Sequence, residues 1–245
     1  YFFFSIIIAS YTLFIFREYP ESIGTERDDC YKIIFNNIFN FSFPYSLTPL
    51  GDPCSTGITA LIFYFPSIFY ENYFGITASI SFILFYYLMK KFIDKKILIF
   101  IIYLQIFNLL AIEEAIGGSD YFLISFSYVI GIFYLKEYFD KGDKVSFSIS
   151  LIFLYFFYGS RIIFIFLMPL NYLLSLFLYD IKKVHKYFFI LNFLVLLSIS
   201  FPAFINFDQY HPIHIIYKAY NLVGNYGVIL ILIFFLIILI MMKNI

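Results

Sequence analysis

Eight apolar runs, at positions 1–16, 74–89, 97–112, 121–135, 145–158, 162–179, 187–207 and 226–242, recur along the 245-residue chain. A helix crosses the hydrocarbon core of a bilayer with about 20 apolar residues. Runs of this kind, broken by short polar turns, predict an all-α, polytopic helical membrane protein of about eight transmembrane helices. Charge supports the same class: only 13% of residues are charged, against roughly 25% in a soluble domain. That is too little to cover a water-facing globule. A chain that is 62% hydrophobic is not disordered either. The 16 basic and 16 acidic residues cancel, so no nucleic-acid partner is expected. Trp is absent while Tyr numbers 24, which leaves any interfacial aromatic belt to tyrosine.

Several runs fall short of the ideal length. The first ends after 16 residues and opens on Tyr1, which predicts that N-terminal sequence is missing; it lacks the basic start and small-residue cleavage site of a signal peptide. The break at Gly159-Ser160-Arg161 fits either a turn between two spans or a kink within one long helical region. No fixed-period repeat separates subunits of structure, and the whole of 1–245 reads as one transmembrane domain.

Sidedness follows from the basic residues. One side of the predicted spans collects Lys90, Lys91, Lys95, Lys96, Lys136, Lys141, Lys144, Lys182, Lys183, Lys186 and Lys243, and the other only Arg17, Arg27, Lys32, Arg161 and Lys218. The acids are distributed the opposite way. The positive-inside rule places the lysine-rich side in the cytoplasm of a plasma-membrane protein. A long first loop, 17–73, is then extracytoplasmic. It holds five of the eight Pro of the chain, with Gly24, Gly51 and Gly57, and is predicted to carry surface helices. Within it, 59–70 is apolar but short and interrupted by Pro66, which favours interfacial or re-entrant packing.

The polar residues of that outer face are the candidates for chemistry. Glu26-Arg27-Asp28-Asp29-Cys30-Tyr31 opens an amphipathic stretch that runs to Phe41. Two adjacent acids at a helix start complement the helix dipole and can cap its free amides. Neighbouring helical residues diverge by about 100°, so one acid can cap while the other faces a cavity. There it can act as general base. Arg161, at a span end, is either a phosphate-binding cation or an interfacial anchor. Asp208-Gln209-Tyr210-His211-Pro212-Ile213-His214 supplies two histidines for hydrogen bonding. Pro212 interrupts the alignment a metal pair would need, so no cofactor is indicated, a divalent metal being possible but not called for. Glu113 and Glu114 read as a solvated turn, and His185 as part of the basic edge. Cys30 and Cys54 share the outer loop, where a disulfide is permitted.

The order of these pieces resembles a family. An acid and a Tyr in the first outer loop (Asp28, Tyr31) are followed by Pro44-Tyr45, a Gly and Pro stretch from Gly51 to Gly57, and a helix. Gly118-Ser119-Asp120 and Gly159-Ser160-Arg161 come later at span ends. The pattern is similar to that of the C-type membrane glycosyltransferases that use polyprenyl-phosphate sugars, such as protein O-mannosyltransferases and lipid A aminoarabinose transferases. It covers about the first two thirds of the chain. Against the family, the chain is short and has no soluble C-terminal domain.

The resemblance implies an integral-membrane transferase of cell-envelope glycan biosynthesis. It would move a sugar, with inversion, from a polyprenyl-phosphate donor to a glycan, lipid or protein acceptor on the extracytoplasmic side of the bilayer. Asp28 is then the first choice for general base and Asp29 the second. Tyr31, Tyr45, Asp120, Arg161, His211, His214 and Lys218 become the substrate-binding candidates, with Arg161 or Lys218 on the lipid phosphate. Two other readings compete. A glycan polymerase or flippase of the same pathway shares the hydrophobicity, but its longest loop would come later and be basic. A transporter would carry ionisable residues inside its spans, whereas these runs offer little beyond Ser, Thr, Gln105, Asn108 and Asn171.

Overall fold

The computed structural model describes residues 27–48, 51, 53, 54, 56–68, 74–106, 121–214, 220, 221 and 224. The predicted spans at 1–16 and 226–242, and Glu113, Glu114, Asp120 and Lys218, lie outside the described residues. Among those residues the protein is all-α. Its helices are α1 (Arg27–Phe39), α2 (Ile58–Ile68), α3 (Phe74–Met89), α4 (Lys95–Ile106), α5 (Tyr121–Lys141), α6 (Lys144–Ser160), α7 (Leu167–Leu178) and α8 (Ile181–Ile205). Short 3-10 turns occupy Ile162–Phe166 and His211–Ile213. The one pairing of extended backbone is an isolated antiparallel bridge between Leu47 and Pro53.

α8 is the helix long and apolar enough to cross a membrane, with a mean hydropathy of 2.3 over its best window. One stripe of it, Val184, Tyr187, Phe188, Leu191 and Val195, is buried against α6 and α7. The spacing of three and four residues is that of a single helical face. The opposite stripe exposes Phe189, Phe193, Leu196, Leu197, Phe201 and Phe204. A large continuous apolar surface of this kind is not tolerated against water. It is what a lipid-facing helix presents.

At Arg161 the chain bends by 119° between α6 and the segment Ile162–Leu178. The two are thus joined without a loop, and they do not form one straight helix. α5 and α6 make the most extensive helix pair, brought close by Gly131, where an added Cβ would meet the side chain of Leu154 at 2.6 Å. Small residues at such crossings allow the backbone approach on which packing between membrane helices depends. Across this bundle Tyr128 donates to Asn171 Oδ1 at 3.1 Å, and Asn171 Nδ2 donates to the Tyr158 hydroxyl. The amide of Asn171 is thereby satisfied inside the protein, as a buried polar group must be.

The lysine-rich end is closed by charge. The α5 residue Glu137, with a buried side chain, accepts from Lys91 Nζ at 2.6 Å, Lys141 Nζ at 2.9 Å and Ser146 Oγ at 3.1 Å. Asp143 caps α6 by accepting from Ser146 N. Lys91 above all, against the cost of desolvation and with help from Lys141 and Ser146, holds the Glu137 carboxyl below its ordinary range. A depressed folded value means stability that is present above the ordinary carboxylate range and lost as pH falls through the folded value. Glu137→Gln should therefore flatten the acid limb of thermal unfolding in detergent. Its cost at neutral pH should be only about 1 kcal/mol, because both lysines are half or more exposed and turn to water.

Candidate functional site

At the opposite end of the bundle, the first loop folds into a compact cap. The buried face of α1 is formed by Cys30, Tyr31, Ile34 and Phe35. Cys30 is bonded to Cys54, with their Cα atoms 5.4 Å apart and a sequence separation of 24. A loop of that size, closed covalently, loses denatured-state entropy worth roughly 3 kcal/mol. The disulfide ties α1 to the segment entering α2, and the ring of Tyr31 stacks on Tyr64 of α2 at 4.1 Å.

Between these anchors the chain reverses. Phe41 takes a positive φ of 54°, and Asn37 Nδ2 donates to the Pro44 carbonyl at 3.0 Å and to Ser46 Oγ at 3.4 Å. This pins the Pro44-Tyr45 pair beneath α1. The Leu47 and Pro53 bridge then closes a tight turn in which Gly51 N donates to the Thr48 carbonyl at 2.9 Å. Gly51 has a φ of 90°, a conformation that favours glycine.

The cap is seated on the α6 terminus by two glycines. Gly57 N donates to the Ser160 carbonyl at 2.6 Å, and its own carbonyl accepts from Ala60 N at 3.1 Å to start α2. An added Cβ on Gly57 would overlap the Gly159 carbonyl oxygen, and one on Gly159 would meet Thr59 Oγ1 at 2.7 Å. Thr59 is fully buried and donates to the Phe156 carbonyl at 3.3 Å. The next residue after this junction is Arg161, only 6% exposed. A snorkelling anchor reaches for water, whereas the Arg161 side chain is enclosed by protein. A buried guanidinium persists only where charge or hydrogen bonds compensate it.

The end of α8 supplies the last wall. Asn206 and Gln209 hydrogen bond each other across a turn, and this delivers Tyr210 edge-on to Tyr45, with ring centroids 5.3 Å apart. Tyr45 is 2% exposed, and its hydroxyl has no hydrogen-bond partner among the described residues. Desolvation first, and Tyr210 second, push its pKa well up; burial pushes Tyr210 to about 12. Both stay neutral phenols. Burial and the neighbouring His214 hold His211 below the ordinary histidine value, so at neutral pH it offers a free lone pair.

Of the residues expected from sequence, Tyr31 and Tyr45 share one buried cluster, and Arg161 directly follows the Ser160 junction on which that cluster's loop is seated. His211 and His214 follow directly after Tyr210, on the 3-10 turn and its C-cap. Asp28 and Asp29 lie in the first turn of α1. Helical register separates the two positions: position 28 stands two turns above buried Phe35, and position 29 two turns above exposed Asn36. Tyr210, Tyr64 and Thr59 were not singled out by sequence reasoning. Tyr210 sits inside the His segment, but only its ring contact with Tyr45 sets it apart from the other tyrosines.

The described residues thus define an all-α protein with a helix fit to cross a membrane and, at one end, a cap closed by a disulfide. Compared with protein-family models, curated proteins and solved structures, the chain gives no match.

Proposed function

We propose that the protein is a multi-pass plasma-membrane glycosyltransferase of about eight spans, acting at its extracytoplasmic face on a polyprenyl-phosphate sugar. The observation that supports this reading most is the convergence in one cap of the first turn of α1, Tyr31, Tyr45, Tyr210 and the buried Arg161. The sequence pattern assigns the first turn of α1 to the base, Tyr31 and Tyr45 to substrate contacts and Arg161 to the phosphate cation; Tyr210 is added by its ring contact with Tyr45. Orientation draws on two independent features. The lysine-rich end is the expected cytoplasmic side, and the disulfide at the other end belongs in an oxidising compartment.

The chemistry assigned to these residues balances without a cofactor. The Asp28 carboxylate takes the proton of an acceptor hydroxyl, and the acceptor oxygen attacks the anomeric carbon. The bond from that carbon to the phosphate oxygen breaks with inversion, and its electron pair leaves on the lipid phosphate. Arg161 stabilises that developing anion in a site shielded from water. Tyr45 and His211 hydrogen bond sugar or acceptor hydroxyls.

Radiolabel transfer from polyprenyl-phosphate sugars to endogenous acceptors, in membranes with and without the protein, tests the reading. Incorporation that depends on the protein supports it; equal incorporation sinks it. Tyr45→Phe adds a sharper check. Removing a buried hydroxyl that lacks an internal partner costs no hydrogen bond within the protein. The variant should unfold at the same temperature or slightly higher, yet transfer about tenfold more slowly, the worth of about one lost substrate hydrogen bond.

A further inference from the structure

A groove of about 870 Å³ runs between the segment Ile162–Leu178 and the first half of α8, at the end of the molecule away from the cap. Its walls are apolar: Met168 and Pro169 on one side, Phe188, Phe189 and Ile190 on the other. From His185 to Asn192 it follows α8 for roughly 10 Å at the helical rise. It therefore leads from the lysine-rich end towards the apolar centre of the span.

Asn192 is the polar residue at its inner end, and the other polar groups gather at its outer end. Tyr172 and His185 both line the groove and hydrogen bond through the phenol hydroxyl and Nδ1 at 2.6 Å. This fixes the ring and leaves Nε2 for a ligand. Lys186 is at the same lip, and exposed Lys182 stands one helical turn before it on the same face, with Lys183 beside it. Asp180, the acid just before α8, is turned to the backbone, where its Oδ1 accepts from Lys183 N at 3.0 Å. The surroundings are thus apolar along the groove and cationic at its mouth.

We propose that this groove holds an anionic glycerophospholipid of the bilayer, with one acyl chain along Met168, Pro169 and Phe189 and the phosphate at His185, Lys186 and Lys182. Charge complementarity selects this occupant. A neutral lipid would satisfy the walls and leave the basic mouth unpaired, and basic pockets between membrane helices on the lysine-rich side suit anionic headgroups. The site is separate from the cap and requires only that the chain reside in a membrane, so it stands whether or not the transferase reading does.

The chain contains no Trp, so Phe189→Trp places a single tryptophan, excited at wavelengths where the tyrosines do not absorb, in the groove wall at an exposed position. In vesicles of phosphatidylcholine doped with brominated-chain phosphatidylglycerol, quenching should saturate at a mole fraction about tenfold lower than with brominated-chain phosphatidylcholine. Adding Lys182→Glu and Lys186→Glu, both at exposed positions, should merge the two curves. Identical curves before the charge reversal, or a preference that survives it, would overturn the proposal. So would protection of the Trp from both lipids, which would mean a second copy of the chain covers the groove. Displacement of the quencher by an equimolar polyprenyl phosphate would do the same, assigning the groove to a different lipid.

Discussion

Gly57→Ala should detach the outer cap from the bundle and abolish any activity that depends on it. The new methyl group overlaps the carbonyl oxygen of Gly159, and it does so at the point where Gly57 N donates to the Ser160 carbonyl. Both partners are backbone, so no flexible side chain can turn aside. Either the hydrogen bond opens and leaves buried polar groups unpaired, or α2 moves away from α6 and exposes Thr59. Overpacking and an orphaned buried group each cost about 1–3 kcal/mol, so a total of about 3 kcal/mol is expected. Gly51→Ala is the comparison. Nothing lies within 4 Å of its added Cβ, and only the positive φ is strained, for roughly 1–2 kcal/mol. Thermal unfolding in nanodiscs, with the rate at which reductant opens the Cys30–Cys54 bond, should rank Gly57→Ala well below Gly51→Ala and both below the native chain. Equal stability of Gly57→Ala and the native chain would show that the cap is not seated on the Gly159 junction.

That junction also marks the limit of what the sequence reveals. Apolar runs legibly predict helices because a buried or lipid-facing helix needs little more than hydrophobicity and length. The runs at 74–89 and 121–135 correspond to α3 and to most of α5, and 187–207 to most of α8. The gathering of lysines at one end was readable too, since Lys91 and Lys141 meet at Glu137 where the chain turns. The packing of the first loop was not. Gly57 and Gly159 are about a hundred residues apart, and a glycine needed for a close approach looks in sequence like one needed for a turn. The Cys30 and Cys54 pairing was permitted by chemistry, but it required a distance to be decided. Pro66 suggested a broken segment, yet α2 continues through it to Ile68, giving up the one backbone bond that a proline cannot donate. Glu137 was passed over as one acid among lysines. Its importance comes from Lys91, which lies 46 residues earlier and pairs with it only through packing.

Asp28→Asn should lower sugar transfer by about a hundredfold to ten-thousandfold, the usual range for removing a general base, while Asp29→Asn retains most of it. Both acids occupy the first turn of α1, where either complements the helix dipole for no more than about 1 kcal/mol, so neither change should unfold the cap. Register supplies the difference between them. Position 28 continues the line of Phe35, on the side that meets Tyr31 and Tyr64, whereas position 29 continues the exposed line of Asn36. A base must approach its acceptor within hydrogen-bond reach, and of these two lines the one through Phe35 is the buried one. The assay is initial-rate label transfer at matched protein amounts, with the Cys30–Cys54 bond monitored to confirm that the cap is intact. The pH profile gives a second readout. A carboxylate base imposes an acid limb on the rate, and Asp28→Asn should remove that limb together with the rate, while a purely structural loss would scale the profile without changing its shape. If Asp29→Asn carried the larger defect, the catalytic face of α1 would be the one that faces away from Tyr31, and the acceptor would have to approach from outside the cap. If neither change slowed transfer, the two acids would be serving the helix dipole alone, and the base would have to be sought beside Tyr210, where His211 is held neutral by its surroundings.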